Sequence, residues 1–141
     1  MTFVEAIKTG LSKFVTWKGR ASRSEFWFFF LFAMLSILVA SIIDRVLGTT
    51  FNVVNPMTGL EQSAGYGYVY ALVSLALFLP NLAVMVRRLH DTGRSGWWYW
   101  IVLIPLVGAI LLIVWFATKG TTGSNEYGED PLGGELTAAF S

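Results

Sequence analysis

The sequence predicts an all-α integral membrane protein, with three transmembrane helices preceded by an amphipathic interfacial helix and followed by a flexible C-terminal tail. Three observations predict it. Of 141 residues, 55% are hydrophobic and 13% charged, where a soluble domain carries roughly 25% charged residues. So short a chain has too much surface to hide that apolar excess from water. Second, the uncharged segments 26–43 (FWFFFLFAMLSILVASII), 66–86 (YGYVYALVSLALFLPNLAVMV) and 97–118 (WWYWIVLIPLVGAILLIVWFAT) each have the length to cross lipid. A helix rises about 1.5 Å per residue and the hydrocarbon is about 30 Å thick. Third, none of them alternates as barrel strands do, and lipid admits only helices and closed barrels.

The chain divides into 1–19, an interfacial helix; 20–118, the three-helix membrane domain; and 119–141, a Gly-rich acidic tail. In the first part Phe3, Val4, Ile7, Leu11, Phe14 and Val15 recur at helical spacing and fill one stripe, with Glu5, Thr9, Ser12, Lys13 and Thr16 opposite. Such a segment is too short and too polar to span. It suits the membrane interface with its lysines toward headgroups, or packing on its own protein.

Ser22 and Glu25 have capping-box spacing at the start of the first span. That span has a longer apolar run than a signal peptide's, roughly 7–15 residues, and is read as a retained anchor. The 44–65 loop holds plausible turns at Asn55-Pro56 and Thr58-Gly59. In the second span Pro80 removes an amide, and Asn81 beside it is suited to a freed carbonyl or a neighbouring helix.

Orientation follows from the basic residues. Lys8, Lys13, Lys18, Arg20 and Arg23 precede the first span, and Arg87, Arg88 and Arg94 lie between the second and third. Only Arg45 and Lys119 fall in the other two segments. The positive-inside bias puts the N-terminus and residues 87–96 in the cytoplasm, and three crossings put the tail outside. Pro105 and Gly108 leave one alternative open: a re-entrant hairpin in the third segment, which would move the tail to the other side.

Charge is concentrated in residues 87–100, RRLHDTGRSGWWYW, which hold three arginines, the chain's one histidine, an aspartate and three tryptophans. The absence of cysteine excludes disulfides and thiolate sites, and a lone histidine excludes a multi-histidine metal centre. Arginine's planar fork suits phosphate. Asp91 can pair with an arginine or orient His90. Ser95 suits an N-cap, and Trp97 and Trp98 suit the headgroup level.

Gly19-Arg20-Ala-Ser-Arg23-Ser-Glu-Phe26-Trp27 resembles the GRxxRxxFW element of the domain-of-unknown-function 805 family. Arg87-Arg88-Leu89-His90-Asp91 with Gly93, Ser95, Gly96, Trp97 and Trp98 is similar to its RRLHDxGxSGWW element. Residues 120–131, GTTGSNEYGEDP, resemble its C-terminal GxxGxNxYGxDP element. The resemblance covers roughly residues 15 to 131. It implies a small multi-pass protein of the bacterial inner membrane, of the YhaH type, and no defined activity.

The cluster admits three readings. It is a loop that only enforces topology; or a surface of Arg20, Arg23, Arg87, Arg88, His90, Asp91, Arg94, Trp97 and Trp98 that binds anionic lipid headgroups or a membrane partner; or an enzyme on a phosphorylated lipid, with His90 as acid–base and an arginine clamp. The last lacks a nucleophile, a metal site and a second catalytic carboxylate. A transporter or channel subunit is a further class, but three helices enclose little of a pore unless the chain forms a homo-oligomer. The sequence favours a non-enzymatic membrane component with membrane lipids as partners. It points to no cofactor, no metal and no nucleic acid.

Overall fold

The computed structural model describes residues 1–133. In chain order come α1 (Phe3–Ser12), α2 (Arg23–Leu47), β1 (Thr50–Val54), β2 (Glu61–Gly67), α3 (Tyr68–Asp91), a 3-10 helix (Gly96–Leu103) and α4 (Val107–Ala117). Two compact units result: Met1–Phe30 with the chain from Pro80 onward, and Leu31–Leu79.

Two of the three predicted spans are single long helices. With 25 and 24 residues, α2 and α3 are about 36 Å long and apolar enough to cross a membrane. Helix α3 runs unbroken through Pro80 and continues to Asp91. Arg87, Arg88, His90 and Asp91 therefore form the last turn of a helix and not a loop.

In the Leu31–Leu79 unit, the predicted 44–65 loop is a β-hairpin, so the class is helical with one two-stranded sheet rather than all-α. Its strands pair antiparallel with Asn52 opposite Ser63, Val53 opposite Gln62 and Val54 opposite Glu61. The predicted turn residues close it. The Asn55 amide donates to the Leu60 carbonyl at 2.9 Å, and the Asn55 side chain accepts from the Met57 amide at 2.8 Å. Asp44, fully buried, fixes where α3 begins. Its carboxylate accepts from the amides of Gly67 (2.8 Å), Val69 (3.0 Å) and Tyr70 (2.9 Å) and from the Thr49 hydroxyl (2.6 Å). The first amides of a helix have no partner within it, and an anion there also complements the helix dipole.

In the other unit, α1 starts in a reciprocal capping box. Thr2 Oγ1 accepts from the Glu5 amide and the Glu5 carboxylate from the Thr2 amide, each at 3.2 Å. The helix ends at Ser12, short of the predicted boundary at 19. Its packing face is small: Ala6 and Gly10 are buried, and the Phe29 ring lies directly on Gly10. Phe3 meets Phe28 edge-on with centroids 6.0 Å apart. The larger apolar residues Val4 and Leu11, with Phe14 and Val15 beyond the helix, remain exposed. Helix α1 thus packs on its own chain through its small residues, while these larger apolar residues are not covered by the described residues.

The third predicted span is not one helix. The 3-10 helix breaks at 104–106, where Pro105 has no amide to donate and Leu106 adopts φ 65°, a strained value for a branched side chain. Helix α4 then runs back along it. Trp98 and Trp115 sit edge-to-face at 5.8 Å. A Cβ on Gly108 would lie 1.7 Å from the Ile101 carbonyl oxygen. Glycine at 108 is what permits this approach of two backbones.

The hairpin therefore depends on a position with no room for a methyl group. Gly108→Ala is predicted to destabilise the protein by roughly 1–3 kcal/mol, the usual cost of overpacking, or more because the obstacle is backbone. Thermal unfolding in detergent measures it, and an unchanged midpoint would contradict the hairpin.

Candidate functional site: a buried arginine clamp

Helix α3 ends in a Schellman motif. The Arg94 amide donates to the Leu89 carbonyl (2.9 Å) and the Gly93 amide to the His90 carbonyl (3.0 Å), with Gly93 at φ 78°, where glycine carries no Cβ penalty. The neighbouring carbonyls are also claimed. Arg87 O accepts from the Ala21 amide (3.0 Å), Asp91 O from the Thr121 amide (2.7 Å), and His90 O from Asn125 Nδ2 (2.9 Å). One helix terminus is thus sealed by both the N-terminal segment and the residues after α4.

The side chains of that last turn complete the seal. Asp91 sits between two arginines. Arg20 Nε donates to Oδ1 at 2.9 Å, and Arg88 Nη1 donates to Oδ2. Arg20 also donates to the carbonyls of Thr121 (2.5 Å) and Gly123 (2.6 Å). Arg88 donates to the carbonyls of Phe116 (2.9 Å) and Ala21 (3.2 Å) and to that of Thr118. Phe116 and Thr118 lie at the C-terminal end of α4, so Arg88 supplies a cation and donors where a helix leaves carbonyls unpaired. Arg20, Arg88 and Asp91 are all buried.

Arg87 is buried too, and Glu25 on α2 accepts from its Nη1 at 2.6 Å. Arg87 Nε and Nη2 have no hydrogen-bond partner among the described residues. Half of the predicted capping box is present: Ser22 Oγ accepts from the Glu25 amide at 3.2 Å. The Glu25 carboxylate goes to Arg87 instead of back to Ser22, because a buried guanidinium left without a counter-charge is costlier than a helix-start amide left without a side-chain acceptor.

His90 is held differently from either expected role. Its Nδ1 lies 3.0 Å from the Gly19 carbonyl, and its ring stacks on Tyr127 with centroids 4.1 Å apart and planes 1° from parallel. Asp91 faces the arginines, so no His90–Asp91 pair forms. Arg94 lies over the Trp115 ring, 4.5 Å from its centroid, a cation–π contact. Trp97 and Trp98 are exposed.

The predicted site residues therefore separate into two groups. Arg20, Arg87, Arg88, His90 and Asp91 come together inside the protein and do not form an open patch with Arg23 and Arg94. Arg23 stays exposed, 3.4 Å from the Ala117 carbonyl, and with Lys119, Thr121, Thr122 and the carboxylates Asp91 and Asp130 lines a small cleft, so Asp91 belongs to both the buried cluster and the cleft wall. The tail expectation is corrected on two counts. Residues 118–130 are not a flexible extension but a folded loop, with Asn125 and Gly128 exchanging backbone hydrogen bonds at 3.0 and 3.1 Å. They also contact Arg20 and Asp91, which places them at the same end of α3 as residues 87–91. Residues 134–141 of the predicted tail lie outside the described residues. Sequence reasoning missed Glu25 as an ion-pair partner and Asn125 and Tyr127 as contacts of His90. For Asn125 and Tyr127 the GxxGxNxYGxDP pattern was the only signal.

The sequence profile of the family described as "Protein of unknown function (DUF805)" matches residues 14–129. Inner membrane protein YhaI of Escherichia coli strain K12 is 41% identical over 121 residues, 86% of this chain and 90% of that protein. Inner membrane protein YhaH of the same strain is 36% identical over 121 residues, 86% and 91% of the two chains. Uncharacterized protein YiiR is 27% identical over 142 residues, 82% and 85%. No solved structure matches.

Two predictions test the clamp. Asp91→Asn leaves two buried guanidiniums short of a counter-charge and is predicted to cost roughly 3–5 kcal/mol, as breaking a buried pair does. Arg94→Gln loses one cation–π contact, about 0.5–1 kcal/mol. Unfolding midpoints of the two variants should rank in that order.

The second concerns pH. The amides of Leu132 and Gly123 hold the Asp130 carboxyl below its ordinary range. Its folded pKa is depressed, so its contribution is present above the unfolded value and lost as pH falls through the folded one. Hydrogen-exchange protection of residues 120–132, measured relative to the intrinsic exchange rate at each pH, should therefore fall below the ordinary carboxylate range, and Asp130→Asn should flatten that dependence.

Proposed function

The chain belongs to the DUF805 family, and from that premise we propose that it is a non-enzymatic component of a bacterial inner membrane whose exposed basic face binds anionic lipid headgroups. The inner-membrane location comes from the names of the relatives and agrees with two helices of spanning length. The observation that carries the headgroup reading is the division among the basic residues. Arg20, Arg87 and Arg88 are buried, whereas Lys8, Lys13, Lys18, Arg23 and Lys119 are all exposed. Exposed apolar residues of the N-terminal segment accompany them, which is the composition of an interfacial surface. By the positive-inside rule this face is cytoplasmic, and residues 118–130 share it.

The enzymatic alternative needs His90 free to exchange a proton with a substrate beside an orienting Asp91. The stacking of His90 on Tyr127 and the commitment of Asp91 to two arginines weigh against it. The headgroup reading places binding at Arg23 and Lys119, which flank one cleft.

A basic residue near an anionic leaflet contributes about 1 kcal/mol. Arg23→Gln with Lys119→Gln should therefore weaken retention of anionic lipid roughly tenfold or more, since about 1.4 kcal/mol is a factor of ten. The difference should shrink with added salt. Native mass spectrometry of lipid co-purified with both forms measures it. Equal retention by both would overturn headgroup binding there and leave the face to a protein partner.

A further inference from the structure

We infer that residues 95–118 form a hairpin embedded in the acyl region of a single leaflet, entering and leaving on the side of the arginine clamp, and that its partner is lipid hydrocarbon. The inference stands independently of headgroup binding at Arg23 and Lys119.

Five observations carry it. The segment has no charged residue between Arg94 and Lys119. Its large apolar side chains face outward: Trp97, Leu103, Leu106, Val107, Ile110 and Ile113 are each more than half exposed. Hydrophobic surface on this scale, on a chain already rich in it, needs an apolar solvent.

Its dimensions fit half a bilayer. Eight residues of 3-10 helix at about 2.0 Å each extend about 16 Å. Eleven residues of α4 at about 1.5 Å each extend about 16 Å as well. Half of a hydrocarbon core of about 30 Å is about 15 Å. A crossing helix would need nearly twice either length.

Both ends are fixed at one place. Arg94, one residue before the segment, lies over Trp115. At its far end, the carbonyls of Phe116 and Thr118 accept from Arg88, which also holds Asp91. Base and tip differ as a leaflet does. Trp97, Trp98 and Trp115 lie toward the ends, where amphipathic rings favour the interface. Ile104, Pro105 and Leu106 make the tip, and Pro105 brings no amide that would need a partner in lipid.

The chain has no cysteine, so single introduced cysteines report cleanly. Full-length Thr92→Cys, Leu106→Cys and Ser124→Cys would be treated with a membrane-impermeant maleimide in right-side-out and inverted vesicles. Thr92→Cys and Ser124→Cys should be labelled from the same side, and Leu106→Cys from neither. Labelling of Thr92→Cys and Ser124→Cys from opposite sides would overturn the inference, as would labelling of Leu106→Cys from either side. Because an unlabelled cysteine can also be hidden in protein, a nitroxide at Leu106 gives a second measurement. Collision with oxygen should exceed collision with a water-soluble nickel chelate. Nickel collisions that dominate would place the tip in water and sink the proposal.

Discussion

The constraint on which the cluster depends is that one carboxylate, Asp91, serves two buried guanidiniums. Taking three charges out of water is costly, several kcal/mol per ion even after relaxation. Mutual attraction alone does not offset that cost. The remaining donors of Arg20 and Arg88 must also find acceptors, and they find backbone carbonyls at Ala21, Phe116, Thr118, Thr121 and Gly123. Satisfying the arginines thus draws the N-terminal segment, the end of α3 and the chain after α4 to one point. The ion network is not an ornament on a fold formed by other means.

That requirement propagates into the third apolar segment. Helix α4 leaves its last carbonyls unpaired, and Arg88 provides donors for two residues there. With α4 ending at the clamp and the 3-10 helix beginning one residue beyond Ser95, the chain between must reverse. Pro105, Leu106 and Gly108 are the residues that let it. Apolar content alone made residues 97–118 look like a crossing helix. The electrostatics at the ends decide otherwise, because a charge cluster with no solvent to turn to can reposition a segment that hydropathy leaves free.

What was legible in the sequence follows the same division. Spans with an unbroken apolar run, α2 and α3, were legible because burial in lipid leaves a signal in every residue. Turn residues Asn55 and Gly59 and the N-cap Ser95 were legible because their chemistry is local. The strands β1 and β2 were not: TFNVV and EQSAGYG are short, and the second is rich in small and polar residues that carry little strand propensity. Nor was the role of Asp44, whose partners lie 23 to 26 residues away. The cluster RRLHD stood out at once, yet its charges suggested an open surface. Whether an arginine faces solvent or a carbonyl depends on what the rest of the chain brings to it, and that is non-local.

The choice of basic residue carries the remaining information. Every buried cation in the cluster is arginine, at 20, 87 and 88, and every lysine among the described residues, at 8, 13, 18 and 119, is exposed. An ammonium is a strongly hydrated point charge, whereas a guanidinium is less tightly hydrated and presents five donors in a fixed plane. Arg88 uses that plane to reach a carboxylate and three carbonyls from separate parts of the chain. A lysine there would have three donors on a flexible stem and could not hold so many partners in fixed directions. Where the contact is with a diffuse anionic surface, direction matters little and lysine suffices. Within the buried cluster the fixed plane of donors is what lets an arginine tie separate parts of the chain together.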